Sequence, residues 1–426
     1  MPDEQTILQS LREFIDHIWL IDTHEHVIKE EEWVKLPDGA CDFSHFFPHY
    51  ASTDVVSAGC PTGDWQRIQS HDTPLEEKWS LFEPYWEKAK FTGYGRAVRL
   101  AMRDLFDVPD LNRDTYRELS RRMADKRKTG WYKSVLKDRA RIEKSLLNTS
   151  DARPDPELFV PVVPIDDFIM VSSVDQLRAL ESRAEMSIHS VDDLAGAMEK
   201  VFRIWLDSGA VATKVGVAYR RTLAFDRPSK ASAEMTFSRL FARNGASFAS
   251  LTVSEGKPLQ DYLLHRILQI TFDAGLPVQI HTGIQEGNGN YLDNSNPLHL
   301  SNLFMVYPKG RFDIFHAGYP FTSELGVLAK MFPGVHADLC WMHIVSPAAA
   351  RRALDEWLET VPASKIFGFG GDYLFVEGAY AHAKMARENV ARVLAAKVAE
   401  DYMTEDEART VAQMLLRENA KEFFRL

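Results

Sequence analysis

The chain has 426 residues, 45% hydrophobic and 26% charged, which suffices for a full globular core and fits one large barrel with insertions. A formal net charge of −11 argues against nucleic-acid or membrane-surface binding, though a locally basic site for an anionic substrate remains compatible with it. Cys41, Cys60 and Cys340 are far apart and odd in number, so they form no disulfide framework, and a reduced, cytoplasmic setting is expected. No run approaches the roughly 18 apolar residues of a membrane span, and no apolar signal core follows Met1 to Gln5.

Glu4 to Trp19 reads as a short helix leading into a first strand, the apolar run Ile18 to Ile21. Residues 27–138 contain no obvious strand. They open with a loop rich in Pro, Gly and aromatics, Leu36 to Thr73, and then turn helical. Pro74 sits near a helix start, with Trp79, Phe82 and Trp86 at core-packing spacing. Ala97 to Phe106 and Arg113 to Thr129 also read as helices. The block is expected to be a mainly helical insertion, a cap over a site.

From there strand and helix alternate. Strands are expected at Arg141 to Asn148, Leu158 to Ile165, Ala210 to Ala218, Val278 to His281, Arg311 to His316, Val335 to Trp341 and Lys365 to Phe369. Helices are expected at Ser190 to Ser208, Leu259 to Ala274, Leu298 to Tyr307, Thr322 to Phe332 and Pro347 to Val361. With the first, the strands number about eight, which predicts an α/β (β/α)8 TIM barrel with its active site at the C-terminal strand ends. Ala379 to Leu426 is helical, and Leu415 to Leu426 is expected against the outside of the barrel.

The chemistry-bearing residues fall at those strand ends. In Asp22-Thr23-His24-Glu25-His26, residues two apart share a face, so His24 and His26 project together as half of a transition-metal site. His281, His316 and Asp372 each follow an apolar strand and precede a Gly-containing turn. On the fourth strand Val211, Thr213, Val215 and Val217 share one face, and Ala212, Lys214, Gly216, Ala218 and Arg220 the other. The branched face suits the helix layer, so Lys214 is expected inside the barrel. A buried ammonium there is costly. It is relieved either by a carboxylate such as Asp22 or Asp372, or by reaction with carbon dioxide to a bridging carbamate.

His24-Glu25-His26, His281, His316 and Asp372, in this order on a (β/α)8 pattern, resemble the amidohydrolase superfamily. The segments Glu77-Lys78-Trp79, Pro84 to Ala89, Thr92 to Ala97, His281-Thr282-Gly283, His316 to Pro320 and Leu416 to Ala420 resemble its "amidohydrolase 2" branch, which includes domains fused to glutamine-synthetase-like proteins. The long insertion and Gly368 to Ala386 are more faintly similar to uronate isomerases. The resemblance implies a divalent metal, usually zinc, one or two per chain. His24, His26 and Asp372 hold the principal ion, with His281 as ligand or close contact. His316 binds a second ion or polarises the substrate. Asp372 doubles as general base, and Lys214 is the candidate bridge. The implied reaction is hydrolysis of an amide or lactone by metal-activated water. The alternatives are uronate-type isomerisation, aromatic-acid decarboxylation on the same site, and a catalytically silent binding domain.

Arg220 or Arg221, the former by parity, is a candidate clamp for a substrate carboxylate, with a surface ion pair as the alternative. Tyr219, Trp341 and Tyr373 are candidate pocket walls. Gln285 to Asn290 is Gly-rich without a phosphate-loop lysine and reads as an active-site loop. His45, His49 and His71 are the insertion histidines with a chance of reaching the site. A small-molecule substrate and a homo-oligomer are expected, with no nucleic-acid or membrane partner.

Overall fold

The computed structural model describes residues 4–426 except 245, 246 and 249. Eight strands form one parallel sheet in chain order: β1 (Leu20–Glu25), β2 (Ile142–Leu147), β3 (Phe159–Pro164), β4 (Ala212–Val215), β5 (Val278–Ile280), β6 (Phe312–Ile314), β7 (Val335–Asp338) and β8 (Ile366–Phe367). The turn after β8 closes the ring onto β1. Thr23 N–H donates to Phe369 C=O (3.3 Å), Asp372 N–H to His24 C=O (2.7 Å) and His26 N–H to Tyr373 C=O (3.0 Å). The result is a nearly closed TIM barrel. A two-stranded antiparallel pair, Arg243–Asn244 with Ser247–Phe248, lies outside it.

Register decides which side chains face inward. Lys214 pairs with Gln279 and Gln279 with Asp313, so these three share the inner face of β4, β5 and β6. Thr213 faces outward, where its hydroxyl accepts from Thr271 Oγ1 of the covering helix Val253–Asp273 (3.5 Å). That helix begins well before the expected Leu259, because Thr252 and Glu255 form a capping box.

Several expectations are corrected. Leu36 to Thr73 is not a plain loop: it carries the helices Tyr50–Ser57 and Thr62–Gln69. Helices Val174–Ala184 and Lys230–Arg239 were not anticipated. The fourth strand stops at Val215, not Ala218, and a 3-10 turn Val217–Tyr219 follows. The seventh ends at Asp338, and Trp341 takes a left-handed φ of 63° beyond it. The C-terminal segment does not lie on the outer wall. Ala420, Phe423 and Phe424 cluster with Ile21, Leu146, Val162, Ala212 and Phe367. Side chains from five barrel strands meet only inside, so these aromatics plug the barrel end opposite the site.

Helices around the barrel include α1 (Glu4–Asp16), α2 (Tyr50–Ser57) and α3 (Val376–Ala399). In the segment between β1 and β2, Leu75–Ala89 buries Trp79, Phe82 and Trp86 along one stripe, and Thr92 caps Gly93–Phe106 by accepting from Gly95 N–H (3.1 Å).

Candidate metal centre

His24 and His26 leave β1 together, their Nε2 atoms 3.1 Å apart. Ring closure by the β8 turn brings Asp372 to them, with Oδ1 3.2 Å from His26 Nε2 and 3.8 Å from His24 Nε2. The other oxygen, Oδ2, is 3.7 Å from His316 Nε2. The carboxylate therefore stands between two histidine groups. Burial works to raise its pKa, but a hydrogen bond from His26 and positive charge on His24 or His316, when those rings are protonated, outweigh that and hold it well below the ordinary range. Asp372 (φ 58°) and His316 (φ 62°) both occupy the left-handed region, which a non-glycine residue tolerates only when its surroundings over-determine it.

Hydrogen bonds assign the ring tautomers. His26 Nδ1–H donates to Asn148 C=O (2.9 Å), leaving Nε2 as a lone pair aimed at Asp372. His316 Nδ1–H donates to Cys340 C=O (3.1 Å), and His281 Nε2–H to Ile284 C=O (3.0 Å). His316 Nε2 and His281 Nδ1 are thus both bare, and they face each other at 2.8 Å. Burial, followed by the neighbouring charges, lowers His24 and His281 well below the ordinary imidazole value, and burial brings His316 to about 4. All three are neutral near pH 7. His24 Nδ1 and Asp372 Oδ1 are buried without a hydrogen-bond partner.

Converging lone pairs around an ionised carboxylate, with the rings of His26, His281 and His316 anchored through their other nitrogens, are the donor set a divalent cation needs. Among the described residues two groups bring their ligand atoms within 4.8 Å of one another: His24, His26 and Asp372; and His316, Cys340 and Asp372. His281 is in neither and reaches the second through His316.

Lys214 is 6% exposed and points into the site. The expected partners do not reach it. Asp22 instead accepts from Ser145 Oγ (2.8 Å) and Gly371 N–H (2.8 Å), and among the described residues no carboxylate lies within ion-pairing distance of the ammonium. Its Nζ stands over the Phe315 ring, 4.8 Å from the centroid. Burial lowers its pKa, partly offset by Asp372 and Asp166.

Tyr219 lines the cavity, its ring centroid 4.7 Å from that of His281, and its hydroxyl accepts from Glu286 N–H (3.2 Å). The parity argument for Arg220 ends with the strand: after the 3-10 turn Arg220 stands exposed and does not line the cavity. Arg221 is buried in a structural ion pair with Asp261 (2.6 Å).

The cavity above Asp372 has a volume of about 220 Å³. Sequence reasoning gave no role to Tyr50, Asn148, Pro164, Asp166, Asp167 and Gly216, which line it. Asp166 accepts from Gly216 N–H (2.8 and 3.1 Å) and crowds that glycine, whose absent Cβ would lie 2.8 Å from Oδ2. Tyr50 stacks on Trp341 (centroids 3.7 Å apart), and burial first, Asp372 second, pushes its pKa well above the ordinary value. Of the insertion histidines only His49 lines the cavity; its φ is 67°, and burial lowers it to about 4. His45 faces Glu377 (3.8 Å) instead. Asn288 of the Gly-rich loop donates to Ser57 Oγ of α2 (3.1 Å) and so ties that loop to the insertion.

A family model described as amidohydrolase matches residues 179–426. Protein fluG of Emericella nidulans is 30% identical over 227 residues, 52% of this chain; the chain spans only 26% of that relative's length. A uronate isomerase from Thermotoga maritima superposes with a TM-score of 0.80 at 13% identity, covering 98% of this chain and 97% of its own. A glucuronate isomerase from Caulobacter crescentus gives 0.73 at 18% identity (100% and 95%). A putative metal-dependent hydrolase from Lactobacillus casei gives 0.62 at 17% identity (97% of each). At these identities the structural likeness shows the shared barrel. The family match spans more than half of the sequence, and the chain belongs to the amidohydrolase family, whose members use divalent metals.

Proposed function

We propose that this chain is a metal-dependent hydrolase that cleaves an amide or lactone in a small carboxylated substrate. The observation that carries this reading is the ionised, buried Asp372, held between His24 and His26 on one side and His316 on the other. A divalent cation bound there, which we take to be zinc, supplies Lewis acidity and lowers the pKa of water from about 15.7 toward about 7. Asp372 accepts a proton from water and returns it to the leaving nitrogen or oxygen. His316 serves as a ligand or substrate contact and not as an acid, because its Nδ1–H is committed to Cys340 C=O.

Lys214 has two roles open to it. As a carbamate it is an anionic ligand; as an ammonium without an ion-pair partner it holds the substrate carboxylate, with Tyr219 on the same wall. The mass of the Lys214 peptide under mild conditions separates them. Residues 27–138 act as the cap, delivering His49 and Tyr50 to the cavity. The three free, buried cysteines suit a reducing, cytoplasmic setting, and a homo-oligomer is expected. Among the described residues no helix is long and apolar enough to cross a membrane.

A second reading, isomerisation of a sugar acid, is favoured by the polar lining, in which His49, Tyr50, Asn148, Asp166 and Lys214 offer partners for several hydroxyls. Metal-loaded protein incubated with carboxylated amides, lactones and uronates tests both. Acid release from the first two supports hydrolysis, and ketose formation from the uronates transfers the site to isomerisation. Asp372→Asn should lower the hydrolytic rate by about 100-fold or more with the fold intact. A wild-type rate in that variant removes Asp372 from the chemistry.

A further inference from the structure

We propose that Cys340 is a thiolate ligand of a second divalent cation, held together with His316 and Asp372. This rests on the metal-site reading above and adds to it a soft ligand from the end of β7.

The first argument is the contact between His316 and His281. Their outer nitrogens each donate to a backbone carbonyl, so the two facing nitrogens, 2.8 Å apart, are both acceptors. Two lone pairs at that separation repel unless a positive charge stands beside both. Asp372 Oδ2 lies 3.7 Å from the bare His316 Nε2, while Oδ1 is turned toward His24 and His26. The carboxylate therefore has one oxygen for each of two positions.

The second argument is Cys340 itself. Its Sγ lies within 4.8 Å of the ligand atoms of His316 and Asp372, and the residue is fully buried. Its backbone is fixed on both sides: N–H donates to Asp338 Oδ1 (2.7 Å) and C=O accepts from His316 (3.1 Å). The other two thiols have carbonyl acceptors, Cys41 at Met123 (3.8 Å) and Cys60 at Pro61 (3.7 Å). Among the described residues the Cys340 thiol has none and faces the ligand cluster instead. Trp341, left-handed at φ 63°, bends the chain away directly after it.

Coordination breaks the S–H bond, forms a sulfur–metal bond and releases the proton to solvent, with no change of oxidation state. A site of one imidazole, one carboxylate and one thiolate selects Zn2+, Co2+ or Cd2+ over Mg2+, Ca2+ or Mn2+.

The test is a Co2+ titration of the metal-stripped full chain under reducing conditions, followed by near-ultraviolet absorption and metal content. The expected result is two bound equivalents, with a thiolate-to-cobalt charge-transfer band growing with the second. Cys340→Ser and Cys340→Ala, both smaller and so tolerated at this position, should lose the band. They should weaken the second equivalent by about 10-fold or more while leaving the first unchanged. A Cys41→Ser/Cys60→Ser variant should keep the band. Bound cobalt without a band in the wild type, or a band that survives in Cys340→Ala, overturns Cys340 as ligand and leaves the metal-dependent reading standing. No cobalt binding at all overturns both.

Discussion

Replacing Gly371 with alanine probes how the β8 turn delivers Asp372. A Cβ at Gly371 would lie 1.7 Å from Glu25 Oε1 and 3.4 Å from Asp22 Oδ2, both on fully buried side chains. Glu25 cannot simply swing away, because its Oε2 accepts from Tyr373 N–H (2.8 Å) on the far side of Asp372. Either that bond breaks, at about 1–3 kcal/mol, or the turn shifts against its packing, at about 1–3 kcal/mol. We expect Gly371→Ala to destabilise the chain by about 1–3 kcal/mol and to weaken metal binding, since the Asp372 N–H to His24 C=O bond is in the same turn. Gly63, inside the helix Thr62–Gln69, has nothing within 4 Å of its Cβ position and serves as the control. Gly63→Ala should be neutral or stabilising by up to about 1 kcal/mol. Urea unfolding gives the stability difference and a Zn2+ titration the affinity. A Gly371→Ala protein with wild-type midpoint and affinity would refute the packing argument.

Burial lowers His343 to about 4 and His382 to about 3, against an ordinary 6.5, so below pH 6.5 the unfolded chain takes up protons that the folded chain refuses. Their contribution to stability is complete above about pH 6.5 and is lost as pH falls through about 4, at roughly 1.4 kcal/mol per pH unit for each group. The pH dependence of the urea midpoint should lose about one proton's worth of slope in His343→Gln, and an unchanged slope would discount the assignment. Asp261→Ala leaves the buried guanidinium of Arg221 without its carboxylate and removes one of the two carboxylates beside Lys257, so a loss of about 3–5 kcal/mol is expected in equilibrium unfolding. Thr252→Ala removes the capping box of the helix Val253–Asp273, and differential unfolding should show a loss of about 1 kcal/mol.

Strand order and ligand-type residues were legible because both are local. Apolar runs of strand length, each ending in His or Asp before a glycine turn, mark the C-terminal strand ends, and alternation with amphipathic helices marks the barrel. Period-2 alternation placed Lys214 inward correctly as far as the strand persisted. It failed for Arg220 because the strand ends at Val215, a boundary set by pairing with β3 and β5 and by the Asp166 carboxylate capping Gly216 N–H. The helices in Leu36 to Thr73 were hidden for a related reason, since their faces pack on the rest of the insertion and on Trp341, distant in sequence.

By itself the sequence determined the eight-stranded barrel and which residues stand at its strand ends, because hydrophobic period and turn chemistry are properties of neighbours along the chain. Only the tertiary structure decided how those residues face one another. Ring closure between β1 and the β8 turn sets Asp372 between two histidine groups, and backbone carbonyls at 148, 284 and 340 choose the tautomers of His26, His281 and His316. It likewise brought His49 and Tyr50 in from the insertion and turned Cys340 toward His316. Those relations join residues hundreds of positions apart, and no local pattern encodes them.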